Sequence, residues 1–120
     1  MKSILLLVLA VTHLSLQAGP IFPRMTGAQV VEFTGPRPAS TPGQAKWNFL
    51  EEQSANAYID GVQDAAQGSA WCDTGRVKPH EIRDDVILAL RKLPADRLKG
   101  SAAPLIIEFL RKKFPCGGRP

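Results

Sequence analysis

Four times along this chain a helix-start signal is followed by apolar residues at steps of three and four. Nowhere do apolar and polar residues alternate long enough to make a strand. Thr26 and Gln29 have capping-box spacing, and a short helix carrying Val30, Val31 and Phe33 follows until Gly35-Pro36-Arg37-Pro38 stops it. Thr41-Pro42-Gly43-Gln44 repeats the signal with proline at the first helical position, and a long helix is expected from Pro42 to about Gln67. Its buried stripe is read as Trp47, Leu50, Ser54, Tyr58, Val62 and Ala65, and small residues at Ser54, Gly61, Ala65 and Ala66 suggest close approach of a neighbouring helix.

The third helix starts at Pro79, with Val77 and Ile82 placed as a hydrophobic staple and Glu81 at the third position. Its inner stripe is Ile82, Val86, Ala89, Leu90 and Leu93. Pro94-Ala95-Asp96-Arg97 reads as a turn, and Ser101 caps a last helix whose inward residues are Ala103, Ile106, Ile107, Leu110 and Phe114. Arg111, Lys112 and Lys113 crowd its C-terminal turn, where the helix dipole favours cations. Four helical segments with short links predict an all-α fold, a small four-helix bundle-like domain.

The start of the chain sets the compartment. Residues 1–18 combine Lys2, an apolar run from Ile4 to Val11 and small residues at Ser15, Ala18 and Gly19. This is the pattern of a signal peptide cleaved after Ala18; the run is too short for a membrane anchor. Residues 19–120 then form a single exported domain without further membrane attachment. In an oxidising compartment the two cysteines have one intramolecular pairing, Cys72–Cys116, rather than two free thiols. The bridge would tie the ends of the long and last helices, and loop-closure entropy makes it worth roughly 4 kcal/mol.

Charge is uneven: residues 51–85 hold eight acids and three bases, and residues 91–119 hold eight bases and two acids. The basic end lacks interleaved aromatics for base stacking, so nucleic acid is not the expected partner; solvated helix faces and steering of a protein partner account for the charges. Catalytic chemistry finds little footing. His80 is the one histidine outside the signal segment, and no Gly-rich phosphate loop is present. Asp84 and Asp85 are adjacent and so point to different sides of a helix. No metal, cofactor or enzyme activity is expected.

The run from Ala57 to Cys116 resembles the Rap/Tai family of type VI secretion immunity proteins. The elements that carry the resemblance are Tyr58-x-x-Gly61-Val62, the step Trp71-Cys72, the helix started by Pro79, the Ala102-Ala103-Pro104-Leu105-Ile106 helix, and the closing Phe114-Pro115-Cys116. The likeness from Thr26 to Asn56 is looser. Many relatives carry further cysteines where this chain has Phe33 and Asn56-Ala57. The resemblance implies an all-helical periplasmic protein that binds and inhibits an antibacterial effector, a peptidoglycan amidase for the better-known members, and that can form a homodimer. The alternative is a small periplasmic chaperone or envelope-assembly factor.

Because the helical stripes are committed to the core, partner contacts are expected from loops: Asp73, Arg76 and Lys78 before the third helix, and Asp96, Arg97 and Lys99 before the last. Trp71 has two readings, a core side chain against the bridge, which its position favours, and an anchor of the first loop.

Overall fold

The computed structural model describes residues 24–117. The expected signal peptide and most of the leader after it lie outside them. Five helices follow in order: α1 (Gly27–Phe33), α2 (Pro42–Ala66), α3 (Pro79–Arg91), α4 (Ala95–Leu98) and α5 (Ala102–Lys113). The all-α expectation holds. The fifth helix is the single turn α4, formed where a plain turn was expected.

The start signals act as the sequence indicates. The Thr26 hydroxyl accepts the Gln29 N–H at 3.1 Å while the Gln29 side chain accepts the Thr26 N–H at 2.9 Å. The Thr41 hydroxyl accepts the Gln44 N–H at 3.1 Å. At α3, Glu81 Oε2 accepts the Lys78 N–H at 2.9 Å. These bonds satisfy amides that the first helical turn would otherwise leave without partners. Ser101 makes no side-chain cap; instead the entry to α5 pairs with the entry to α1. The Gly27 N–H donates to the Gly100 carbonyl at 3.1 Å, and the Ala102 N–H donates to the Met25 carbonyl at 2.9 Å.

The core is built from Met25, Val30, Ala55, Ile59, Ala66, Trp71, Ile82, Val86, Ile87, Leu90, Ala102, Ile106 and Leu110. Three helix faces follow the predicted periodicity closely, but α2 does not. Its buried line is Ala55, Ile59, Gln63 and Ala66. The expected stripe is corrected in part: Tyr58 and Val62 pack half-buried against the core, but Trp47 and Leu50 are 67% and 42% exposed, and Ser54 and Ala65 are also exposed. The cause is a mismatch of lengths. With 25 residues, α2 is about twice as long as α3 (13) and α5 (12), and only its C-terminal half has helices to pack on.

Gly61 is corrected as well. A Cβ there would meet nothing within 4 Å, so no neighbouring helix depends on it. Close approach occurs at Gly27, where a Cβ would lie 2.9 Å from Leu98 Cδ2 and 3.2 Å from the Leu98 Cα.

Cys72 and Cys116 form a disulfide across a sequence separation of 44. The Cys72 N–H donates to the Phe114 carbonyl at 3.0 Å beside it. Ion pairs link the helices on the outside: Arg83 to Asp60 at 2.7 Å joins α3 to α2, and Lys113 to Asp85 joins α5 to α3.

Candidate functional site

The loop between α2 and α3 is shaped by Asp73 and Gly75. Asp73 Oδ1 accepts the Gly75 N–H at 2.8 Å, and Gly75 has φ +70°, a left-handed conformation that suits glycine. Asp73, Arg76 and Lys78 are all exposed, and none of them is in an ion pair among the described residues.

The second set sits around α4. Asp96 and Lys99 are exposed and pair with each other at 2.7 Å. Arg97 pairs with Glu108 of α5 at 2.8 Å. Pairs this exposed fix side-chain geometry more than they add stability. The two sets stand at opposite ends of α3, whose 13 residues span about 20 Å. They do not form one continuous surface.

Trp71 belongs to the core: it is 3% exposed, and its ring packs 6.0 Å from that of Phe114. Its Nε1–H donates to the Gln63 carbonyl at 2.9 Å. Of the two readings of this residue, the anchor is withdrawn, because a side chain already desolvated and hydrogen-bonded within the bundle has nothing to offer a partner. The Trp sits where the bridge joins α2 to α5 and closes that end of the core.

Sequence reasoning missed a third surface. The large apolar side chains that stay exposed among the described residues are Trp47, Phe49, Leu50 and Leu88. Three are on the first half of α2, where no residue from Pro42 to Ser54 is buried, and Leu88 is on α3. Between that half-helix and α3 runs a cleft of about 440 Å³ lined by Thr34, Glu52, Asn56, Ile87, Leu88 and Arg91, among others. It continues past Glu52 into a shallower space of about 320 Å³ beside Phe49, Asn48 and the 35–39 loop. The signal that could have found this surface was the unequal length of the predicted helices.

Surface loops on a helical frame, with an apolar projection beside a cleft, make a small disulfide-tied helical protein whose exposed faces are the surfaces it offers to a partner. The family comparison says which class of protein this is. The model of the Rap1a immunity proteins matches residues 26–116, and the chain belongs to that family. The match agrees with the Rap/Tai resemblance and covers the same span, including the stretch from Thr26 to Asn56 where the likeness is looser. No curated protein matched the chain.

Proposed function

We propose that the chain is a periplasmic immunity protein that binds a type VI secretion effector, a peptidoglycan amidase, and blocks it without turnover. The observation that carries this reading is the family match from residue 26 to residue 116, which takes in every helix of the described residues and both cysteines. The signal-peptide pattern of residues 1–18 supports the compartment, since an amidase that cuts the cell wall must be met where the wall is.

The effector contacts are drawn from the exposed charged loops: Asp73, Arg76 and Lys78 at one end of α3, or Asp96, Arg97 and Lys99 at the other. Their separation makes them distinguishable. Alanine substitutions in the contacting set should each weaken binding by about 1 kcal/mol or less, mainly through a slower, salt-dependent association. Substitutions in the other set should leave association unchanged.

The test is co-expression in the periplasm with a type VI amidase effector encoded beside this gene. Protection from lysis, and a complex recovered from the same cells, are expected. Lysis that continues while folded protein is present would defeat the reading for that pair. Failure with every neighbouring effector would favour the envelope-assembly alternative.

A further inference from the structure

We propose that the cleft between α2 and α3 binds a small diamino dicarboxylic acid, a molecule with an amino-carboxylate at each end and a short methylene chain between. The proposal does not rest on the effector reading. It starts from two facing rows of side chains. On α3, Asp84, Ile87, Leu88 and Arg91 recur at steps of three and four, so they share one face. On α2, Glu52, Asn56 and Asp60 recur at steps of four and do the same. All of them except Asp60 line the cleft, together with Arg83 and Thr34. Its volume of about 440 Å³ lies within the roughly 300–1,000 Å³ usual for a small-molecule site.

Contacts outside the cleft fix its two ends. Arg83 donates to Asp60 Oδ2 at 2.7 Å, which marks one end, next to Asp84. At the other end Arg91 donates to the Thr34 carbonyl at 2.7 Å, and Glu52 borders the neighbouring Gly35 and Pro36. The rows therefore run in opposite directions, and each end of the cleft holds one acid and one base: Asp84 with Arg83, and Glu52 with Arg91. Neither Glu52 nor Asp84 is in an ion pair among the described residues. Each guanidinium uses one N–H in the bond just named and has others to offer. Between the ends lie Ile87, buried at the base, Leu88, exposed beside it, and the half-buried Asn56.

That order of groups selects the ligand. A carboxylate takes an ammonium and a guanidinium takes a carboxylate, so each end suits one amino-carboxylate group. Ile87 and Leu88 give the methylenes between them an apolar wall. Asp84 and Arg91 are seven positions apart, about 10 Å along α3, and both side chains can lean toward the middle. Simpler molecules leave charges unanswered. A dicarboxylic acid would leave Glu52 and Asp84 facing like charge. A diamine would do the same to the two arginines, and a single amino acid would fill one end only. The required chemistry exists as a free amino acid and, with one amino group acylated, as a residue of cell-wall peptides. In the second form the Asn56 amide lies where it could bond the acyl linkage.

The experiment is titration of the oxidised, isotope-labelled protein with 2,6-diaminopimelate, followed by amide chemical shifts. Saturable binding is expected, with a dissociation constant of about 1 mM or tighter and the largest shifts at Asn56 and Leu88. Pimelate, which lacks both amines, and 1,5-diaminopentane, which lacks both carboxylates, should each bind at least about tenfold more weakly. Glu52→Gln and Asp84→Asn should each weaken diaminopimelate about tenfold, the loss of one charge-assisted bond. Both side chains are exposed and unpaired, so folding should not change. Asp96→Asn, outside the cleft, should leave binding as it is. A soluble wall tripeptide carrying the same residue separates the sources: binding as tight as that of the free acid assigns the site to wall fragments, and weaker binding assigns it to the free acid. Absence of saturable binding by both forms would overturn the proposal. So would equal binding of pimelate or diaminopentane, or variants at Glu52 and Asp84 that bind like the parent.

Discussion

Replacing Gln63 by methionine should stabilise this protein. Gln63 is 4% exposed, and its Nε2 is buried without a hydrogen-bond partner among the described residues. A buried polar group in that condition costs about 1–3 kcal/mol. Methionine has nearly the same length and volume, so it leaves no cavity. The useful bond at this position is a backbone one and survives: the Gln63 carbonyl accepts the Gln67 N–H at 3.0 Å and Trp71 Nε1–H at 2.9 Å, whatever side chain is present. Allowing for contacts the amide makes through its carbon atoms, the expected gain is about 1 kcal/mol, or about 4–8 °C in Tm for a domain of this size. Urea unfolding followed by circular dichroism measures it, with an unchanged slope showing that the folded and unfolded states are comparable. Gln63→Glu should move the other way, because a buried carboxylate lacks even the partial compensation of an amide. A Gln63→Met protein that is less stable by about 1 kcal/mol would refute the reasoning and show that the amide is satisfied in solution.

Cys116→Ser should lower stability by about 2–5 kcal/mol, read from the urea midpoint, while thiol labelling of the unreduced parent should modify neither cysteine. Gly61→Ala should raise Tm slightly, by about 0.4–1 kcal/mol of added stability, because the new methyl meets open space and the unfolded chain loses freedom. Gly27→Ala should instead lose about 1–3 kcal/mol, since its methyl would press on Leu98 and Leu105. Arg37→Ala should speed amide hydrogen exchange over residues 45–52 while barely moving the global Tm, because its contacts are local to the projecting half of α2.

The parts of the fold written in short-range chemistry were legible. Thr26 with Gln29, Thr41 before Pro42, and Glu81 after Lys78 place three helix starts, and each makes the bonds its spacing implies. The disulfide followed from having only two cysteines, and it closes as expected. The stripe on α2 was not legible, for a physical reason. Steps of three and four fit both the line through Trp47, Leu50, Ser54 and Tyr58 and the line through Ala55, Ile59 and Gln63. The two large side chains, Trp47 and Leu50, outweighed the smaller true core residues. Which line is buried depends on where α2 meets α3 and α5 along its length, and that is decided by tertiary packing rather than by periodicity. Trp71 was readable as core because it adjoins Cys72. The exposed surface around Phe49 and Leu88 was hidden by the assumption that every large apolar residue on a helix turns inward.

An unpacked half-helix has to be held up by something other than burial. An isolated segment of 13 residues would be marginal in water, because the cost of nucleating its first turn is not recovered over so short a length. Here the packed half of α2 supplies the nucleus, and the projection only propagates it. Thr41 and Pro42 close the far end. Arg37 braces the middle: its guanidinium pairs with Glu51, donates to the Asn48 carbonyl at 2.6 Å and lies 5.3 Å from the centre of the Phe33 ring. The Asn48 side chain returns a bond to the Arg37 carbonyl at 3.2 Å. The loop after α1 therefore works as a strut under the projection, and its bonds do not touch Trp47, Leu50 or Leu88. Bracing and contact are divided between different residues on the same turns of helix. A surface held rigid in this way loses little conformational entropy when a partner covers it, which lowers the cost of association at a place where large apolar side chains remain in water.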